Sequence, residues 1–196
     1  MIKPILFSTE MVRAILEGQK TVTRRSVKFG RGQNPKWSGY VPDGDVLYGS
    51  NNIPAAKAPC QAGDVLWVRE TWGTASDLLG GVPGPVYRAD YTDDELRTLQ
   101  EKHYRWRPSI HMPKEAARIF LQVKDVRVER LQDINLDPPG PKNQVIQEGL
   151  HYLCDFIAVW NRAIKSEDRN RYGWYANPWV WVIEFERCRQ PEGWPG

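Results

Sequence analysis

The chain has 196 residues (22.6 kDa), is 41% hydrophobic and 26% charged, and contains no low-complexity tract. These values suit one globular domain over residues 1–196 and exclude disordered and collagenous chains, while apolar runs such as Trp179–Ile183 fall far short of the ~20 residues of a membrane-spanning helix. Net charge is +3, yet residues 1–40 hold eight Lys/Arg against two acids, which fits either a phosphate or nucleic-acid footprint or an ordinary solvated face.

Pro4–Phe7 reads as a short strand. Ser8 or Thr9 then caps a helix with Met11, Val12, Ile15 and Leu16 on one face, stopped by Gly18. Lys20–Arg25 alternates and is rich in β-branched residues, predicting an outgoing strand. Residues 26–59 are dominated by turn formers and read as a long loop. Gly63-Asp64 opens the clearest strand, Val65–Arg69, and Val86–Ala89 is another. Asp93–His103 suits a short helix. Ile119–Val123 and Val126–Leu131 read as two strands. Residues 137–141 break all structure, a short helix over Asn143–Gln147 ends at Gly149, and Tyr152–Ile164 is a helix with Phe156, Ile157, Trp160 and Ile164 in one stripe. Pro178–Glu186 is a long closing strand. Several strands without regular strand–helix alternation predict a mainly β chain with helices, an α+β fold arranged as a small barrel.

The cysteines (Cys60, Cys154, Cys188) are odd in number and scattered, and the histidines (His103, His111, His151) lack ligand spacing. A reducing cytoplasm is expected, with no disulfide framework, no metal and no cofactor. Glu10 and Arg13 interrupt the first apolar stretch, so no secretory leader and no membrane partner are expected. The sequence sets no oligomeric state.

Three stretches, in order, carry a resemblance: Gly18-Gln19-Lys20-Thr21-Val22-Thr23-Arg24-Arg25, Gly63–Glu70, and Asn177–Phe185. Together they resemble the ASCH family of PUA-like barrels, in particular its larger phage and prophage type, as does Trp106–Pro113. The resemblance spans Pro4 to Phe185 and implies a PUA-like β-barrel with flanking helices and insertions at about 26–59, 76–86 and 137–142. Some ASCH proteins are amidohydrolases of N4-acetylcytidine, with a Lys-x-x-Thr motif and a more distant Glu. The resemblance implies Lys20 and Thr23 as the motif pair, with Arg25 on its trailing arginine and Glu148 or Glu70 as the acid. Other PUA-like barrels bind RNA or modified bases without catalysis, so RNA is the alternative partner to a small nucleoside, and a ribonuclease using the same basic cleft is a further alternative.

Amide hydrolysis needs a nucleophile, a base and donors for the oxyanion. Lysine is a base only when neutral; burial, or Arg24 and Arg25 nearby, would lower its pKa, whereas a touching carboxylate would raise it. Either Thr23 attacks with Lys20 as its base, or the pair activates water. Arg24, Arg25 and Arg69, with the loop or element-end aromatics Trp37, Trp72 and Trp106, are the candidate substrate-binding groups. Trp67, Trp160, Trp179 and Trp181 lie in regular elements and read as core. Plain structural roles compete: Lys-Thr-Val-Thr is ordinary strand sequence, Glu148 can be a helix-end residue, and Glu70 can pair internally with Arg69.

Overall fold

The first fold decision is made by Ser8, whose side-chain oxygen accepts the Met11 N–H (3.4 Å) and stops the opening strand by capping a helix. The computed structural model describes residues 1–30, 39–49, 53–79, 84–134, 136 and 143–195. In chain order the elements are β1 (Ile2–Leu6), α1 (Thr9–Leu16), β2 (Val22–Ser26), β3 (Val41–Asp43), β4 (Val46–Tyr48), β5 (Pro54–Lys57), β6 (Val65–Arg69), β7 (Trp72–Thr74), α2 (Ala75–Leu79), β8 (Pro85–Tyr87), α3 (Asp93–Glu101), β9 (Phe120–Arg130), α4 (Gln144–Gln147), α5 (Leu153–Ala163), α6 (Arg169–Tyr172) and β10 (Trp179–Cys188). The fold is α+β, with helix and strand in nearly equal share (33% and 31%), so the chain is less dominated by strand than its sequence suggested.

Two compact units are formed, and each takes chain from separate stretches. The first comprises Met1–Gly18, Val65–Gln122 and Arg187–Gly196. Here β1 runs parallel to β6 (Ile2↔Val65 to Leu6↔Arg69), and β6 pairs antiparallel with the start of β9 (Val65↔Gln122 to Trp67↔Phe120). Leu66 and Val68 point into the interior, as the period of two requires. Trp72, Met112, Ala116, Ala117 and Phe120 form a core against which Trp67 and Trp194 pack. The helix α3 starts with a reciprocal capping box, Thr92 with Glu95. It ends in a Schellman turn: the Tyr104 N–H reaches the Leu99 carbonyl and the His103 N–H the Gln100 carbonyl, both at 2.9 Å. His103 occupies the left-handed position of that turn (φ 59°), where glycine is usual.

The second unit comprises Gln19–Asp64 and Val123–Glu186. Its strand order is β9-β10-β2, with β10 in the middle and buried on both faces from Trp179 to Ile183. The strands β10 and β2 are antiparallel, Val182 opposite Arg24 and Ile183 opposite Thr23. One face of this sheet and the stripe of α5 share a core of Val22, Leu131, Val145, Phe156, Trp160, Val180 and Val182. Lys28 sits 4.3 Å over the Tyr172 ring.

Three sequence expectations change. Ile119–Val123 and Val126–Leu131 belong to one continuous strand, Phe120–Arg130, in which Lys124 and Asp125 are both exposed and shift the buried positions from odd (Leu121, Val123) to even (Val126, Val128) without ending the strand. Within the expected loop 26–59, β3, β4 and β5 form an antiparallel sheet. Its first turn is Gly44-Asp45, with Gly44 at φ 52° giving the glycine-first two-residue hairpin, a signal that the density of Pro and Gly masks. Among the described residues the strand pairings do not close into a barrel. The expected insertion at 137–142 and Trp37 lie outside the described residues, as does most of the stretch joining α2 to β8. Among the described residues no helix is long and apolar enough to cross a membrane.

The left-handed His103 gives a direct test. A left-handed β-carbon costs ~1–2 kcal/mol, partly offset by the greater unfolded-chain entropy of glycine. His103→Gly should therefore raise stability by ~0.5–1 kcal/mol, read as a higher urea midpoint at unchanged slope.

Candidate functional site

Within the second unit, β2 and the end of α4 bring three charged side chains together. Asn143 caps α4 through a 2.9 Å bond from the Val145 N–H, and Gly149 (φ 80°) ends it, leaving Glu148 at the C-cap. The Thr21 N–H donates to the Gln147 carbonyl and the Phe185 N–H to the Thr21 carbonyl, both at 2.9 Å. The segment before β2 is thereby pinned to both α4 and β10. Lys20 Nζ donates to Glu148 Oε2 (2.6 Å), the Glu148 carbonyl (2.9 Å) and the Val22 carbonyl (2.7 Å). Three acceptors match the three protons of an ammonium. Arg24 Nη1 donates to Glu148 Oε1 at 3.1 Å and Nη2 to the Gln144 side-chain carbonyl. All three charged side chains are buried, with exposures of 0%, 5% and 1% for Lys20, Glu148 and Arg24.

From Arg24 the charges continue outward in alternating sign. Glu129 Oε2 lies 3.7 Å from Arg24 Nη2, its other oxygen meets Arg127, and Arg127 pairs in turn with Asp125 (3.1 Å) and Glu184. Gln144 and Glu129 were not expected from sequence. Gln144 lies one helical turn before Glu148, and Glu129 shares the face of Arg127 in an alternating strand, so both follow from period alone once the elements are placed.

Burial is the largest influence on Lys20 and pulls its pKa below the ordinary lysine value; Glu148 opposes this, while Arg25 and then Arg24 reinforce it. The expected contest is thus decided by desolvation. Burial also lowers the Arg25 pKa, opposed by Glu148. Because the folded state holds the Lys20 proton less tightly than the unfolded chain, its unfavourable contribution shrinks as pH rises toward the ordinary lysine value.

Thr23 is buried in the same strand (3% exposed), next to Arg24. The strand pleat sends Thr23 and Arg25 to the face opposite Val22 and Arg24. Among the described residues no hydrogen bond to the Thr23 hydroxyl is recorded.

Glu70 belongs to the first unit and is not part of the Lys20 cluster. It is 1% exposed, and Arg118 grips it bidentately (2.9 and 3.1 Å) while also pairing with Asp90 (2.8 Å) and lying 3.8 Å over the Tyr87 ring. Burial raises the Glu70 pKa, with Arg118 pulling it back. Its partner is Arg118 and not Arg69, because consecutive strand residues face opposite ways. Arg69 instead donates to the Ile110 carbonyl and lies over Trp67 (5.5 Å). Trp72 is 8% exposed and core-packed under Arg107 (5.0 Å), which removes it as a stacking platform. Trp106 is half-buried between Tyr91 and Tyr104. No group of His, Cys, Asp and Glu able to hold a metal is found among the described residues.

No family model matches the chain. No curated protein matches it either. Among solved structures, it is similar to the crystal structure of a hypothetical protein, PH0355, with 14% identity, a TM-score of 0.42, and 96% of this chain and 100% of that one covered.

The two buried carboxylates should respond differently to neutralisation. Glu148→Gln leaves Lys20 and Arg24 buried with their shared anion gone and should cost ~3–5 kcal/mol. Glu70→Gln should cost less, because Arg118 keeps Asp90 and some access to water. Urea denaturation of both variants at pH 7 measures the difference.

Proposed function

We propose that the chain is an ASCH-type, PUA-like cytoplasmic enzyme whose Lys20 site hydrolyses the amide of an N4-acylated cytosine nucleoside. The observation that carries this reading is the buried, hydrogen-bonded Lys20–Glu148 pair (2.6 Å) at the start of the Lys-x-x-Thr motif. A lysine with a depressed pKa beside a buried carboxylate is an acid–base couple, and such pairs cluster at functional sites. The pair also makes Glu148 the acid of choice over Glu70.

The proton on Lys20 Nζ passes along the hydrogen bond to Glu148 Oε2, leaving the neutral amine toward which burial already biases Lys20. The amine then takes the proton of the Thr23 hydroxyl as its oxygen bonds to the acyl carbon, and the carbonyl π pair moves onto oxygen. Guanidinium donors of Arg24 or Arg25 stabilise that oxyanion. Collapse breaks the bond to N4, which leaves with the Glu148 proton as the amine of the free nucleoside. Water, deprotonated by the same couple in a second cycle, releases the carboxylic acid from Thr23, whose oxygen regains a proton from Glu148.

The position of Thr23 on the strand face opposite Arg24 favours one variant of this scheme, in which the couple deprotonates water and no acyl-enzyme forms. Conversion of N4-acetylcytidine to cytidine, followed by absorbance, tests both. Turnover should fall as pH rises through the depressed Lys20 pKa, because the couple then loses the proton that the leaving N4 requires, and Lys20→Arg should lose about 10²-fold or more, its guanidinium being too basic to deprotonate. Thr23→Val should lose as much if Thr23 is the nucleophile; near-normal turnover by folded Thr23→Val selects the water route. A folded wild-type protein that hydrolyses no acylated pyrimidine overturns the enzyme reading and leaves binding of RNA or a modified base.

A further inference from the structure

The first unit holds a cleft that the hydrolase reading leaves unused. It measures about 470 Å³ and is lined by Arg88, Asp93, Leu96, Arg97, Gln100, Tyr104 and Trp106. Its volume falls in the range of small-ligand sites.

The walls are fixed from outside the cleft. Arg13 of α1 donates to the Ala89 carbonyl (3.2 Å) and to the Tyr91 carbonyl, and pairs with Asp93 (3.3 Å), fastening the segment before α3. The capping box sets the start of α3, and the Schellman turn at His103 folds Tyr104 and Trp106 back beside the helix. The backbone of Arg107 exchanges hydrogen bonds with Trp72 (2.8 and 3.2 Å), which anchors the residue next to Trp106. Two tyrosines stand edge-on to the Trp106 indole, Tyr104 at 5.0 Å and Tyr91 at 5.4 Å between centroids. Trp106 is thus a held, half-exposed aromatic plate of the kind on which bases stack.

Charge completes the site. Asp93 is already matched by Arg13. Arg97 has only a solvent-exposed partner, Asp94 (2.9 Å), a pair that water screens and an incoming anion can displace. Arg88 makes no close ion pair among the described residues, its charge reaching Glu10 only at longer range, where an incoming anion can compete. Two arginines able to take an anion therefore flank a stacking plate, while Gln100 offers both a donor and an acceptor.

We propose that this cleft binds a nucleotide, its base stacked on Trp106 and its phosphate held by Arg88 and Arg97. The ligand is a nucleoside phosphate, either free or as one unit of a single strand. The site stands independently of the amide-hydrolase reading, since it shares no residue with the Lys20 cluster.

Calorimetric titration of the wild-type protein with AMP, adenosine, ribose 5-phosphate and an octa-adenylate RNA tests the proposal. AMP should bind saturably and at least tenfold more tightly than adenosine or ribose 5-phosphate, because each lacks one half of the recognition. Arg88→Gln, Arg97→Gln and Trp106→Leu should each weaken AMP about tenfold, with melting curves confirming the fold, while Thr23→Val should leave AMP binding unchanged. Octa-adenylate binding much more tightly than AMP and weakening steeply with salt identifies a strand; equal affinities identify the free nucleotide. No saturable AMP or octa-adenylate binding at millimolar concentration, or binding indifferent to all three variants, overturns the proposal. Loss of binding in Thr23→Val would move the nucleotide to the Lys20 cluster and equally overturn it.

Discussion

One buried carboxylate, Glu148, is shared between two buried cations, and the local arrangement of the second unit follows from that shortage of negative charge. Lys20 and Arg24, four residues apart on the stretch that enters β2, each take one of its two oxygens, so the carboxylate is held at both ends. Such a cluster requires that most of its remaining donors be satisfied, and Arg24 Nε is the exception here, buried without a hydrogen-bond partner. That requirement explains why the helix-end carbonyl of Glu148 and the Val22 carbonyl are turned toward Lys20, and why Gln144 meets Arg24. The excess positive charge is answered by Glu129, and beyond it the sign alternates through Arg127 to acids at the exposed edge of β9 and β10. The hydrophobic core beneath, with Val22, Val145 and Val182, excludes the water that would otherwise screen these charges.

The two buried glutamates show how the same residue type acquires different roles. Glu70 is met by a guanidinium that also reaches Asp90 and covers a tyrosine ring, an arrangement that ties loops to a strand. Glu148 is met by a lysine, whose proton can leave, at 2.6 Å. A guanidinium partner fixes a carboxylate, whereas an amine partner in a dry site makes an acid–base couple.

Much of the framework was legible in the sequence because it is written in short-range rules. Ser8 and Gly18 bracket α1, Asn143 and Gly149 bracket α4, and the apolar stripe of α5 gives its buried face. Lys20 and Glu148 were legible as residues; their contact joins positions far apart in the chain and depends on packing that no local pattern encodes. The same limit applies to Glu70, whose nearest charged neighbour in sequence was Arg69 while the fold supplied Arg118. Trp72 looked like a loop aromatic because β7 is only three residues long, too short to leave a periodic signature. The sheet within 26–59 was hidden by prolines that lie inside its short strands, Pro42 in β3 and Pro54 in β5, and by the glycine that makes its first turn.

The pairing of β2 with β10 joins Val22 to Glu184 across most of the chain, with β9 and α5 lying between them in sequence. Closing so long a loop costs entropy before any ladder bond forms, so this pairing belongs to the slow, non-local part of folding. During synthesis β2 emerges early and has no ladder partner until β10 follows it from the ribosome. Until then Lys20 and Arg24 remain hydrated cations on an unpaired strand, and their charge discourages edge-to-edge association. The charges that later form the buried cluster thus act first as gatekeepers of the nascent chain.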